Sequence, residues 1–454
     1  MIINNNRGRV LLAASVFSVF PSLAFAAGYA LNEQSASAMG AANAGAAADP
    51  ENASTVFFNP AGMTQLKGTQ ISFGATLLDV TSDFQGSATN TVGKTVTGGD
   101  GGRYVPLTFV PNFYVTHQVN DYLAAGFGVH VPFGLKGNYD NDFVGRYFGD
   151  KTEIEVVDFQ PSIAIDTQQG LSLGFGLDIM RAKGTLTKYQ DFSYYNQPDG
   201  YFEAKGYDWG LGWNAGILWQ PFDRTNIGMT YRSRVEFKLR GQATLTGAPV
   251  ALTGNTTGDL TENARVPLTT PDTLTFSLKQ GLAQNWDLLA GATWTDWSRF
   301  PSLAILSSQP NAGQYGTISF LGSQTYKGSA DLIGYEAEHW HNTWAFSIGT
   351  AWQATPAWKF KAGYAYDESP IPSEYRNVRI PSTDRNWLTL GAQWKDVPTG
   401  WTVDGAFGYL IIRDVHVNEV LHTVNDQPVS GAANVQGTYK PKAWGLAVQV
   451  SKAF

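Results

Sequence analysis

The sequence predicts an all-β chain whose antiparallel strands close into a transmembrane barrel around an N-terminal plug. Three observations predict it. Runs of about ten residues or more alternate apolar and small or polar side chains, a length suited to tilted membrane strands. The 14 Trp, 20 Tyr and 26 Phe cluster at the ends of those runs, where a ring sits between lipid and water. Residues 27–66 are rich in Ala and Gly, nearly uncharged, and show no alternation. A soluble sandwich would share the parity, so the run lengths and aromatic girdles carry the distinction.

Taken in order, the first 26 of 454 residues read as a secretory signal. Arg7 and Arg9 precede the short apolar run Val10 to Phe20, and Ala24-Phe25-Ala26 makes a small-x-small cleavage site. No second apolar run of ~18 residues follows, so no transmembrane helix is expected. Residues 27–66 form the plug, or hatch, ending in Phe57-Phe58-Asn59-Pro60-Ala61-Gly62-Met63. Residues 67–454 supply the barrel. Its clearest strands include Leu171 to Ile179, Trp209 to Trp219, Trp344 to Trp352, Trp358 to Tyr366 and Trp401 to Tyr409. The chain closes on Trp444, Leu446, Val448, Val450 and Phe454, a pattern like the outer-membrane assembly signal, from which Lys452 departs. Long connections are expected at Asp83 to Gly102, Tyr189 to Tyr207, Gly241 to Arg265 and Ser298 to Glu338, alternating with short turns.

Composition excludes several classes. A formal charge of −7 disfavours nucleic acid, and the absence of Cys removes disulfides and thiolate metal sites. His339-Trp340-His341 puts two imidazoles on one strand face, but with no third ligand in view a polar rim is the better reading and no metal or cofactor is assigned. There is no Gly-x-Ser-x-Gly.

Two stretches break the strand rules. In Asn59-Pro60-Ala61, Pro fixes φ, holds its predecessor extended and lets Asn bond nearby backbone, giving a rigid corner. Pro132, with Val131 before it and Gly128 and Gly134 around it, lies inside the run Leu123 to Leu135. Pro removes a ladder hydrogen bond and a closed barrel has no free edge to shelter it, so a bulge or inward kink is expected. Parity also sorts the cations after Asp178. Lys188 falls on the luminal face. Arg181 and Lys183 fall on the outer face beyond the apolar band, at the level of lipopolysaccharide phosphates.

The start Ala27-Gly28-Tyr29-Ala30-Leu31-Asn32-Glu33, the Asn59-Pro60-Ala61 triplet, and Asp367-Glu368-Ser369-Pro370-Ile371-Pro372 followed by Arg379-Ile380-Pro381-Ser382-Thr383-Asp384-Arg385 resemble the FadL family of long-chain fatty acid transporters. The likeness covers essentially the whole mature chain. It implies about fourteen strands, a luminal hatch gated at Asn59, Pro60 and Ala61, and a monomer in the Gram-negative outer membrane. It further implies passive uptake of long-chain fatty acids, released sideways through a wall gap at Gly128, Val131, Pro132 and Gly134. The family holds the substrate carboxylate with luminal cations, and Lys188 lies close to one of those positions without coinciding with it. The alternatives are uptake of aromatic hydrocarbons or other apolar xenobiotics, a barrel enzyme acting on lipid, and an open aqueous porin.

Overall fold

The computed structural model describes residues 28–322, 326–329 and 331–454. The signal segment 1–26 lies outside the described residues. The chain is a closed 14-strand antiparallel barrel. Its strands are β1 (Thr69–Thr89), β2 (Thr108–Gln118), β3 (Leu123–Asn138), β4 (Lys151–Asp166), β5 (Leu171–Gln190) and β6 (Gly200–Phe222). Then follow β7 (Thr225–Arg232 and Glu236–Thr246), β8 (Leu260–Thr269 and Thr273–Ala283), β9 (Trp286–Thr295 and Ser302–Ser307) and β10 (Leu332–Ala337 and Thr343–Gln353). The last are β11 (Trp358–Asp367), β12 (Arg385–Asp396), β13 (Trp401–Ile412 and Val415–Val420) and β14 (Asn434–Ala453). Each strand pairs with its sequence neighbours, and β14 closes on β1 from Gln70 opposite Ala453 to Thr89 opposite Asn434. Closure gives every wall strand a neighbour on each side, as a hydrocarbon surround demands.

The alternation sorts the wall as its chemistry requires. On β5, Leu173, Phe175, Leu177 and Ile179 are exposed to the outside, while Ser172, Asp178 and Met180 are buried inside. On β6 the outward Trp209 and Trp219 bracket the apolar band. With a rise of ~3.3 Å per residue and a tilt of ~40°, they lie about 25 Å apart along the barrel axis, one hydrocarbon thickness. Short turns at one end and long loops at the other give the periplasmic and extracellular sides.

The loops are shorter than the sequence reading expects. β1 runs on to Thr89, β5 to Gln190 and β7 to Thr246, and the outer segments of β9 and β10 fall inside the stretch read as one loop. Above the membrane the outer face of a strand meets water while the inner face packs apolar side chains such as Leu186, Phe202 and Leu245, so the apolar-outward alternation is lost while the backbone ladder continues.

Residues 28–66 fill the lumen as short turns and helices, among them Ala36–Met39, Thr55–Phe58 and the 3-10 turn Pro60–Gln65. Glycines on the wall make room for them. A Cβ on Gly216 would sit 2.0 Å from Asn59 Oδ1, and one on Gly174 would sit 2.1 Å from the Ala61 nitrogen. The small inward residues of the alternating runs are therefore the surface on which the hatch lies.

Candidate functional site

Four contacts hold the hatch. At its start the hatch completes β3. The β2–β3 ladder ends at Phe113 opposite Val129, and the β3–β4 register slips between His130 and Phe133. Val131 and Pro132 thereby lose strand partners on both sides and Gly134, still opposite Glu155 on β4, lacks one on β2; the hatch replaces them. Leu31 N–H donates to Pro132 O at 2.9 Å, and Gly134 N–H to Tyr29 O at 2.7 Å. Gln34 Nε2 donates to Val131 O at 2.7 Å. Gly128 lies just before the break, against the Tyr114 ring.

Asn59 makes the second contact. Its buried amide donates to Ala47 O at 2.7 Å and Ile217 O at 3.0 Å, while its Oδ1 accepts from Ala61 N–H at 3.1 Å. One side chain thus caps the Pro60–Gln65 turn, ties two hatch segments together and anchors both to β6.

The third is a buried charged cluster that the sequence reading missed. Arg232 ion-pairs with Asp178, and with Asp158 at 3.2 Å. It donates to Phe57 O at 3.3 Å and lies over the Phe57 ring at 4.9 Å. Gln160 Nε2 donates to Val56 O at 2.6 Å. His130, two residues before Pro132, stands 3.2 Å from Asp158. The fourth binds the hatch carboxylates: Asp49 to Lys279 at 2.6 Å, and Glu51 to Lys359 at 2.6 Å and to Lys361. Burial by itself raises the Glu51 carboxyl, but the ammonium groups of Lys359, Lys361 and Lys279 outweigh it and hold it well below the usual carboxylate range.

Above the hatch lies a cavity of about 740 Å³. Leu186, Phe202, Leu245, Ile305, Ile318 and Ile333 line much of it, and Lys188, Arg379, Glu336 and Glu419 make it polar at the side of β5. Arg379 descends from the loop between β11 and β12. It donates to Thr152 Oγ1 at 2.9 Å and Thr187 O at 3.0 Å, and pairs with Glu336 at 3.3 Å. Glu419 accepts from Val378 N–H at 2.8 Å. Lys188 has no hydrogen bond or ion pair among the described residues. Among these residues its cation has no direct partner, although Glu336 and Glu419 attract it from across the cavity, whereas that of Arg379 is bonded to the protein.

The structure thus puts Pro132 and Asn59 at separate ends of the hatch and Lys188 in the cavity above. Tyr29 stands near the kink, its ring centre 5.8 Å from Phe133, 4.8 Å from Trp297 and 5.7 Å from Trp340. Arg181 and Lys183 face outward and are exposed. His339 reaches Asp426 at 2.8 Å, while His341 bonds the Asn342 carbonyl oxygen, so the two imidazoles serve separate partners.

Residues 17–454 match the family described as outer membrane protein transport protein (OMPP1/FadL/TodX). Outer membrane protein P1 of Haemophilus influenzae is 30% identical over 470 residues, spanning 94% of this chain and 95% of its own. The long-chain fatty acid transport protein of Escherichia coli O6:H1 is 26% identical, with 98% of each chain covered. The crystal structure of a Pseudomonas aeruginosa FadL homologue has the same fold, with a TM-score of 0.82 and 24% identity over 94% of this chain and 99% of that one.

Proposed function

Because the chain belongs to the OMPP1/FadL/TodX family of outer-membrane transport proteins, we propose that it takes up long-chain fatty acids passively and releases them sideways through the wall at Pro132. Transport of hydrophobic compounds across the outer membrane comes with the family; the fatty acid and the lateral route are our reading.

The amphipathic cavity carries the reading. Its volume, about 740 Å³, lies within the ~300–1,000 Å³ of small-molecule sites. A long apolar lining with an uncommitted ammonium beside it suits an acyl chain with an anionic head. An aromatic hydrocarbon would fill the apolar part and leave Lys188 without a ligand. The lateral route has an energetic basis. At about 0.8 kcal/mol per CH₂, delivering a ~C16 chain into periplasmic water would cost on the order of 13 kcal/mol, whereas entry into the bilayer costs none of this. The break in the β2–β3 ladder supplies the place, and the hatch blocks the axial alternative.

The test is ligand binding to purified protein with palmitate and its methyl ester. In Lys188→Ala, palmitate should lose about 1.5–3 kcal/mol of affinity, the worth of a shielded charge-assisted hydrogen bond. The ester should be little affected. Equal losses would assign Lys188 to packing and favour a neutral substrate.

A further inference from the structure

We propose that the outer wall of β5, β6 and β7 holds a diphosphorylated glycolipid of the outer leaflet through Arg181, Lys183, Lys238 and Arg240. The inference rests on the outer-membrane setting and not on what passes through the lumen.

The four side chains share the outward face of adjacent strands and all are exposed. Register places Lys183 opposite Tyr207 and Tyr207 opposite Arg240, and it places Arg181 opposite Trp209. The Arg181 guanidinium stands 5.7 Å from the Tyr207 ring centre. Trp209 marks the upper edge of the apolar band, with Phe159 stacked on it at 6.1 Å. The cations therefore sit at the depth where acyl chains end and headgroup phosphates begin.

Several other cations at this end of the barrel are already paired. Lys205 is paired with Glu203 at 2.8 Å, Lys151 with Glu153 at 3.0 Å and Arg265 with Asp331 at 2.7 Å. Among the described residues, Arg181, Lys183, Lys238 and Arg240 have no ion pair within 4.0 Å. Two carboxylates adjoin the patch, Glu155 opposite Lys183 in register and Asp208, which accepts from the Lys238 backbone N–H at 2.7 Å, so the four cations remain in excess. Neighbouring like charges at a low-dielectric boundary repel, and an anion from the membrane relieves that repulsion. The geometry also favours two phosphates over one. The β5 and β7 cations are two strand spacings apart, about 10 Å, with the aromatic rings of β6 between them. Below them Leu177, Ile179, Leu211 and Trp213 are exposed and offer an apolar bed for acyl chains.

The experiment reconstitutes the full protein in phosphatidylcholine nanodiscs with lipid A, either diphosphorylated or fully dephosphorylated, and reads bound lipid by native mass spectrometry. The diphosphorylated form should be retained. Arg181→Gln combined with Lys183→Gln, Lys238→Gln and Arg240→Gln should weaken retention about tenfold or more, since each removes a cation facing an anionic surface. Lys205→Gln should leave it unchanged, since that cation is already paired. Heat-modifiable mobility on gels checks folding. If the fourfold variant does not close its barrel, the two double variants, one on β5 and one on β7, replace it, and each should show a partial loss. Equal retention of both lipid forms, or no loss in any variant, would overturn the assignment. Full competition by inorganic pyrophosphate would also overturn it in favour of a site for free phosphate. Palmitate uptake by the fourfold variant should stay normal, which separates this inference from the transport reading.

Discussion

The backbone N–H of Leu31 donates to the carbonyl oxygen of Pro132 at 2.9 Å, so the N-terminal segment acts as the missing neighbour of a wall strand. The kink in β3 does not leave its polar groups bare, because the hatch satisfies them from inside. Buried backbone groups without such partners are rare and costly.

That relationship makes the kink testable. Pro132→Val with Gly128→Val and Gly134→Val should favour a straight strand, since Val restores the N–H and packs on a pleated surface. Fatty-acid uptake in cells lacking their own transporter should fall sharply, while palmitate binding to purified protein persists. Uptake at the normal rate by a well-folded variant would rule out the lateral exit and direct attention to an axial route past Asn59.

Gly216→Val should lift the hatch from the wall. Its Cβ would meet Asn59 Oδ1 at 2.0 Å, and the Asn59 amide would lose its acceptors on Ala47 and Ile217. Unsatisfied buried groups cost about 1–3 kcal/mol each. Hydrogen exchange across residues 47–62 should speed up with the barrel strands unchanged. Unaltered exchange there would mean that the contact does not anchor the hatch.

Deleting Asn32 to Ala46 should open an aqueous path, because those residues fill the lumen. Conductance in planar bilayers should rise well above that of the intact protein. Equal conductance from a correctly folded deletion would remove the plug role.

Acid should loosen the Glu51 contact. The folded carboxyl titrates well below its ordinary value of 4.5, held down by Lys359, Lys361 and Lys279. Stability from this site is therefore fully present above about pH 4.5 and is lost as pH falls through the depressed folded value. Glu51→Gln should reproduce the loosened hatch at neutral pH, at a cost of roughly 3–5 kcal/mol for stranding buried partners. Protection against hydrogen exchange near residue 51, taken relative to the intrinsic rate at each pH, should then cease to depend on pH. A variant that retains the acid response would place the titration elsewhere.

The parts legible in the sequence are those governed by local spacing. The alternation from Leu171 to Ile179 carries the wall and its two faces, and counting on from Asp178 puts Lys188 inside. Pro132 announces an irregular strand because its missing N–H is a local fact. What stayed hidden depends on closure. Arg379, Glu336 and Glu419 reach one cavity from separate segments. Arg232 meets Asp158 and Asp178 across several strands, and no spacing along the chain brings them together. Asp178 is visible in the sequence only as an inward marker, and an inward carboxylate on an apolar strand was a signal that some cation must lie nearby. The FadL likeness supplies the strand number and the hatch, which parity alone does not.

The two seams beside β1 and β2 are unequal in a way that bears on how the wall would fail. β1 and β14 are laced from Gln70 opposite Ala453 up to Thr89 opposite Asn434, whereas β2 and β3 hold only from Gln118 opposite Ala124 to Phe113 opposite Val129. Pulled apart in the membrane plane, the cylinder would rip along the short seam, and the join between its first and last strands would be among the last to part. An opening there would be a slit whose lower end is stitched by the pairs from Gln118 opposite Ala124 to Phe113 opposite Val129, while the first and last strands stay joined on the far side of β1 and β2.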